Sequence, residues 1–437
     1  MTTIVLSTLA ILAIFLSVGI WVGVGLMGVG IVSLELFRNM PVERLLAQSI
    51  WNTASSPELV ALPLFILMGE ILFRTRLSEM LFDGLSPWVR HIPGRLLHTN
   101  ILGCTLFAAI SGSSAATTAL VGRITANELL SRGYNPSLAV GSLAGAGTLG
   151  FLIPPSTMLI IYGVLAQVSI LKMFVAGIVP GLLLALSFMI YVGVRSVMNP
   201  SLLPEEKEQV TARDLIQGLL KIGPVLILIL FVVGSMVFGF ATPTEAAAIG
   251  VFGAILVSAL QRCFSWKGIW QACISAMHTT SMIGLIIAGA VFLSIAIGFL
   301  QIPSTIASAI SALNLSPLAL IALLIVFYVL LGTVLEGMSL IVMTLPITLP
   351  LVTAVGYDPI WFGIFLILVV EMAMITPPIG FNLFVINGIT GTPLGQLTRA
   401  AFPFFLILVF FTLLLALFPD IVTWLPDNLS FGTRGLK

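Results

Sequence analysis

Apolar runs separated by short polar joints fill most of this 437-residue chain, and their lengths set the first expectation. A spanning helix takes about 20 apolar residues, so the opening run, residues 4–37, holds two short helices bent at the glycine-rich stretch 19–25. Further spans are expected at residues 59–73, 136–167, 173–194, 219–240, 245–260, 279–300, 358–389 and 401–418, which brings the crossings to about ten. Two other runs, 96–130 and 317–355, are too long for one ordinary helix, and each carries a small or polar interruption near its middle. They are read as re-entrant helical hairpins with tips at 112–114 and at Glu336 and Gly337, entering the membrane and leaving on the same side.

The pattern occurs twice. Pro154-Pro155 and Pro377-Pro378 each break an apolar run, and they lie 223 residues apart. Each follows a hairpin tip by the same interval, Ser113 standing 41 residues before Pro154 and Glu336 standing 41 before Pro377. Lysines and arginines, which gather in short cytoplasmic loops, divide unevenly. Arg74, Arg76, Arg90, Arg95, Arg132, Arg195, Lys207, Arg213, Lys221, Arg262, Lys267 and Arg399 fall on one side, against Arg38, Arg44, Lys172, Arg434 and Lys437 on the other. The base of the first hairpin is flanked by Arg95 and Arg132, whereas the base of the second, from Asn314 to Asp358, has no basic residue near it. The two halves are therefore expected to be inverted, with both termini outside. Between them, residues 199–214 read as a polar cytoplasmic linker, and residues 265–278, with Trp266, Lys267 and Trp270, as a separate interfacial helix.

Composition agrees with that class. Hydrophobic residues make up 59% and charged residues 8% of the chain, against about a quarter charged in soluble domains. The mean hydropathy is +1.18. A formal charge of +1 and the absence of a basic run give no reason to expect a nucleic-acid partner. The opening Met1-Thr2-Thr3 lacks the positive n-region of a signal peptide, so the first apolar run is expected to stay attached and be structural. Cys104, Cys263 and Cys273 have no metal-site spacing and read as packing residues. The histidines are scattered, and no nucleophile, base and carboxylate constellation suggests an enzyme; no phosphate loop is present for an ATP-driven pump.

Four segments carry candidate chemistry. In Ser111-Gly112-Ser113-Ser114, hydroxyls beside a glycine break can satisfy freed backbone or help complete an oxygen shell around a cation; helix packing is the plainer reading. In the run 145–157, Thr148, Gly150, Pro154, Pro155 and Ser156 combine glycines with two residues lacking an amide proton, so a continuous helix is not expected. Such backbone is tolerated in a membrane where it lines a polar site. The second half repeats the scheme with Glu336 and Gly337, then with Thr376, Pro377, Pro378, Gly380 and Asn382. Glu336 in hydrocarbon must pair, protonate or meet water. Glu70 and Glu371 also lie in apolar stretches, where helix-to-helix hydrogen bonding is favoured over proton coupling. Arg123 is read as snorkelling to the inner surface, and Glu245 as a helix cap or a residue that orders an outer gate.

Gly112-Ser113-Ser114-Ala115, GTLGFLIPPSTMLIIY from Gly147, GFATPTEAAA from Gly239 and TPPIGFNLF from Thr376 together resemble the large membrane subunit of TRAP transporters, the tripartite ATP-independent periplasmic systems, over nearly the whole chain. The resemblance implies an all-α, elevator-type permease in a bacterial or archaeal inner membrane, driven by a Na+ gradient. It implies a small four-helix membrane subunit on a separate chain, a periplasmic substrate-binding protein, and an organic acid as substrate: a C4-dicarboxylate, sialic acid or another sugar or keto acid. No cofactor is expected beyond Na+ as coupling ion. The scaffold would comprise residues 1–95, 169–300 and 391–437, and the moving part 96–168 and 301–390. One Na+ is expected between 112–114 and 148–154, near Gly112, Ser113 and Thr148, and a second between Glu336, Gly337 and 376–382, near Gly337, Thr376 and Asn382, with substrate between them. A stand-alone ion-coupled carboxylate transporter is the alternative.

Overall fold

The computed structural model describes residues 2–75, 77–204, 210–312, 316–378 and 380–429, and within them every regular element is a helix. Arg76, Lys207, Asn314, Ile379, Arg434, Lys437 and linker residues 205–209 lie outside the described residues.

The opening run forms α1 (Thr2–Ser17) and α2 (Val22–Phe37), and the turn between them contains Gly19 at φ +75°. Next come α3 (Val42–Ala54) and α4 (Ala61–Phe73), with a short 3-10 turn between them and a bend of 50°. After α5 (Leu77–Val89), the first hairpin is α6 (Leu97–Ser111) and α7 (Ser114–Ser131), and the first broken helix is α8 (Pro136–Gly147) and α9 (Thr157–Ala166). The middle of the chain is α10 (Ile170–Met198), α11 (Ala212–Val237), α12 (Pro243–Leu260), α13 (Trp266–Phe299) and α14 (Ile302–Ala312). The second hairpin is α15 (Pro317–Gly332) and α16 (Gly337–Ala354), the second broken helix α17 (Pro359–Met374) and α18 (Phe381–Thr390), and the chain closes with α19 (Leu394–Leu417) and α20 (Asp420–Asn428).

Both repeats use the same local devices 223 residues apart. Asn135 and Asp358 cap α8 and α17, each followed by proline at the first helical position, where the missing N–H costs nothing. Ser113 and Glu336 cap the second arm of each hairpin through their side chains. Both Pro-Pro bonds are cis.

Six described helices are long and apolar enough to cross a membrane unaided, or seven if the bent α3–α4 pair counts as one span. Shorter apolar helices occupy the remaining expected spans, among them α1, α2, α9, α17 and α18, while α16, one of the six, is an arm of the second hairpin. One expectation fails. Residues 265–278 are not a separate interfacial helix but the start of α13, which runs unbroken for 34 residues from Trp266. No proline interrupts that stretch, so nothing stops the helix after Ser265 has capped it. At 1.5 Å per residue α13 reaches about 50 Å, longer than the ~30 Å hydrocarbon core, which leaves its first turns beyond it with Trp266 and Trp270 exposed. α13 lies against α2 where glycines allow backbone contact, a Cβ at Gly289 having no room beside the Gly23 carbonyl.

The packing also shows the inversion. Lys221 pairs with Asp83 at 2.8 Å, Arg95 donates to the Pro204 carbonyl at 2.6 Å, and the Asn135 amide donates to the Leu202 carbonyl at 3.1 Å. These contacts bring the base of the first hairpin and the linker side of α11 to one basic end. From that end α8 and α19 run side by side, Gly141 against the Ala400 carbonyl and Gly145 against Phe404. α19 then carries on to the opposite end, where Tyr357 and Trp361, just past the second hairpin, donate to the carbonyls of Ala416 and Leu415. The hairpin bases thus lie at opposite ends. At the centre stands α17, buried at every position from Trp361 to Met374.

Candidate functional site

The first hairpin turns at Gly112, whose φ of +57° is a left-handed conformation that glycine adopts without strain. Its amide closes α6 on the Ala108 carbonyl, and its carbonyl accepts from Thr157 Oγ1 at 2.7 Å, which joins the tip to the first turn of α9. A side chain there would meet the Thr157 amide at 2.9 Å. Ser111 Oγ and Thr117 Oγ1, 2.7 Å apart, tie the two arms together beside the turn. Ser113 Oγ accepts from the Ala116 amide, and Ser156 Oγ, at the start of α9, donates to the Phe151 carbonyl at 2.6 Å. Between α8 and α9, Thr148 Oγ1 donates to the Gly145 carbonyl at 2.6 Å, and Gly150 lies so near Ser114 that a Cβ would overlap its backbone. Ser111, Gly112, Ser113, Ser114, Thr148, Gly150, Pro155 and Ser156 thus lie around the first tip, the Pro155 carbonyl 3.2 Å from where a Gly112 Cβ would stand, while Pro154 packs toward Gly177 of α10.

The second half is assembled differently. Glu336 caps its own helix, accepting from Ser339 N at 3.2 Å and Ser339 Oγ at 3.3 Å, and is exposed at the surface of the chain. Gly337 packs on the last turns of α17, where a Cβ would sit 2.7 Å from Val370 and 3.1 Å from Met374. Thr376 Oγ1 donates to the Met372 carbonyl at 2.6 Å, and the Gly380 amide to the Thr376 carbonyl at 2.9 Å, so the segment beside Pro377 and Pro378 closes on itself. Asn382 does not turn to the second hairpin. Its Nδ2 donates to Ser114 Oγ of the first, at 2.8 Å, and its buried Oδ1 has no protein partner.

Glu371, absent from the residues assigned to ions or substrate from sequence, completes this cluster. Fully buried on α17, it accepts from Ser114 Oγ at 2.7 Å through Oε2 and from the Phe151 amide at 3.0 Å through Oε1. Ser114 Oγ also stands 3.0 Å from the Gly147 carbonyl. The sequence signal was an acidic residue in an otherwise apolar helix, five positions before Thr376. Of the expectations for isolated carboxylates, Glu371 does form helix-to-helix bonds. Glu70 instead pairs with Arg74, the residue that ends its own helix, at 3.4 Å, and Arg74 reaches Ser275 of α13 at 3.1 Å. Glu245 forms a capping box with Thr242, accepting from its amide at 2.8 Å. Arg123 is exposed on α7.

The helix ends focus charge on this core. The N-termini of α7, α9, α16 and α18 are positive ends, and the C-termini of α6, α8, α15 and α17 carry carbonyls, so the breaks offer complementary fields to an anion and a cation. Among the described residues no group of three or more His, Cys, Asp and Glu could hold a metal ion. Na+, by contrast, is suited to hydroxyl, amide and carbonyl oxygens, and Ser114 Oγ, the Gly147 carbonyl and Asn382 Oδ1 are of that kind.

Inverted hairpins and broken helices meeting at a buried polar core form a transporter-like arrangement, and comparison with known proteins shows which family it serves. The profile of the tripartite ATP-independent periplasmic transporter DctM component matches residues 9–421. This chain belongs to the DctM family. Among its relatives is the C4-dicarboxylate TRAP transporter large permease DctM of Pseudomonas aeruginosa, 35% identical over 392 residues that cover 89% of this chain and 91% of that one. The sialic acid TRAP transporter large permease SiaM of Vibrio cholerae is 30% identical, over 87% of this chain and 89% of its own. The isethionate TRAP transporter permease DctMQ of Oleidesulfovibrio alaskensis is 32% identical over 90% of this chain, which accounts for 61% of that longer protein. In fold the chain is similar to the Alcanivorax borkumensis YdaH transporter, with a TM-score of 0.62 at 14% identity, covering 89% of this chain and 88% of the other. As a DctM family member with apolar spanning helices it is a multi-pass membrane transport protein, and the tripartite family implies a small membrane subunit and a periplasmic binding protein.

Proposed function

We propose that this chain is the large permease of a TRAP transporter that takes up an organic acid at the expense of a Na+ gradient. The observation that carries the reading is the buried core in which Ser114, Gly147, Glu371 and Asn382 meet, with Asn382 Oδ1 left as a carbonyl oxygen without a donor. Such an orphan costs about 1–3 kcal/mol unless something fills it, and a Na+ would. The second ion is assigned to the tip at Gly337 and the end of α17 with Thr376. Helix N-termini and the bound cations then offset the substrate's carboxylate, so no buried lysine or arginine is needed.

In this reading the hairpins and broken helices, residues 96–168 and 301–390, move as the transport part against residues 1–95, 169–300 and 391–437, an elevator in the inner membrane of a bacterium or archaeon. A separate small subunit braces the scaffold and a periplasmic binding protein delivers the substrate. Relatives are named for a C4-dicarboxylate, sialic acid and isethionate, and within that range the cargo is assigned to a C4-dicarboxylate, a sialic acid or another sugar or keto acid.

The test is uptake of a panel of labelled organic acids into proteoliposomes holding this chain with its small subunit, with and without a Na+ gradient and the binding protein. Uptake that needs both supports the reading and names the cargo. Uptake by this chain without a binding protein assigns it to the stand-alone carboxylate transporters. Ser114→Ala and Asn382→Ala should each raise the Na+ concentration for half-maximal uptake about tenfold, the equivalent of ~1.4 kcal/mol of lost ligation. Unchanged Na+ activation in both would remove the ion assignment.

A further inference from the structure

The two hairpin tips are related by the repeat, yet they are not held alike. Ser114 of the first tip corresponds, 223 positions on, to Gly337 of the second, which has no side chain to bond. Glu371 and Asn382 correspond to Thr148 and Leu159. Thr148 spends its hydroxyl on the Gly145 carbonyl of its own helix, and Leu159 has none to offer. Ser114 therefore receives two polar side chains from the other repeat, one from each side of the second break, while Gly337 faces Val370, Met374 and Phe151 through apolar contacts. Exposure follows the same division up to the helix start: Ser111, Gly112 and Ser113 are half-buried, buried and half-buried, whereas their counterparts Val334, Leu335 and Glu336 are exposed, half-buried and exposed, and only Gly337 is as buried as Ser114.

We infer that Glu371 and Asn382 are positioning residues that hold the first hairpin tip through Ser114, and that the second tip, lacking such a tie, is the one free to open. One carboxyl group joins three elements: it holds the first residue of α7 through Oε2 and the irregular segment after α8 through the Phe151 amide, while belonging to α17. The space around it enforces the register, because neither Gly147 nor Gly150 can bear a side chain without meeting Thr118 or Ser114. The first tip and both broken helices consequently behave as one rigid piece, and only the tip at residues 333–336 can part from them. The inference rests on the transporter reading for its consequence, but its test does not require transport.

The test is hydrogen exchange of the purified protein in lipid, read by mass spectrometry, together with the thermal stabilisation produced by NaCl against choline chloride. In the unaltered protein, amides of residues 111–116 should exchange more slowly than those of 333–339. Glu371→Leu should raise exchange at 111–116 and at Phe151 while leaving 333–339 unchanged, and should raise the half-saturating Na+ about tenfold. Glu371→Gln should restore both readouts, since the amide oxygen can accept from Phe151 and the NH2 can donate to Ser114 Oγ, whose proton then turns to the Gly147 carbonyl. Ser114→Ala, which deletes one atom, should reproduce the selective exchange if Glu371→Leu does not fold. Equal exchange at the two tips, a uniform rise across the protein in both Glu371→Leu and Ser114→Ala, or a Glu371→Gln variant as loose as Glu371→Leu would each overturn the inference. If the exchange pattern holds but NaCl stabilises not even the unaltered protein, the Na+ reading fails and the tie stands.

Discussion

At Ser114 a single hydroxyl is shared by Glu371, Asn382 and the Gly147 carbonyl, and every one of these groups is buried. Half of that was legible from the chain. The serines and glycines before the first break, and the asparagine after the second, stood out because polar residues are costly in an apolar helix. Their partners were not legible, because Ser114 and Glu371 are separated by 257 residues and no local pattern encodes such a meeting. The glycines are constrained as tightly as the polar groups. Gly150→Ala should lose ~1–3 kcal/mol, the usual range for overpacking, because its methyl overlaps the Ser114 backbone, which cannot yield. At Gly147 the obstacle is the Thr118 hydroxyl, so Gly147→Ala should be destabilising alone and largely repaired by Thr118→Ala. Thermal melting of the three variants in lipid checks both expectations.

Helix starts were among the most readable elements, since side-chain caps and N1 prolines act locally. Thr242 and Glu245 show this: the pair closes the N-terminus of α12, and the open alternative of an outer gate finds a simpler physical use as a cap. Thr242→Ala should therefore lower stability by ~1 kcal/mol, a typical cap loss, and leave half-saturating Na+ where it was. A shifted Na+ curve would restore a gating role to this corner. The misread element was α13, where tryptophans and a lysine suggested a helix lying along the surface. Without a proline or a turn to end it, the same residues begin a 34-residue helix. The short helices α3, α5, α14 and α20 went unforeseen because their apolar residues are too few to register as spans.

Across the whole molecule, the inverted ends of the two hairpins follow from contacts at opposite ends of α8 and α19, in agreement with the uneven distribution of lysine and arginine. The expected boundary between scaffold and moving part can be tested where α4 meets the first hairpin. A Cβ at Gly69 would lie 3.6 Å from the Ser111 Cα, close enough for a disulfide between cysteines placed at the two positions. If the hairpin travels past α4, oxidising the Gly69→Cys, Ser111→Cys protein should abolish uptake and reduction should restore it. Uptake and Na+ stabilisation of the reduced double variant give the baseline for both readouts, because Ser111→Cys removes the hydroxyl that meets Thr117. Transport that persists in the crosslinked protein would make α4 part of the moving body.

The membrane class, the duplication, the two breaks and the hairpin turns are all written in local chemistry along the chain: apolar length, missing amide protons, glycine at a left-handed turn, and caps before prolines. The chain also carries the motifs by which the family is recognised. That Asn382 crosses to the first hairpin, that Glu371 joins it there, and that the two tips differ in how they are held emerge from the folded packing alone. Those facts depend on which side chains two distant segments bring within about 3 Å of one another, a matter settled by packing around the buried α17 and not by the spacing of residues along the chain.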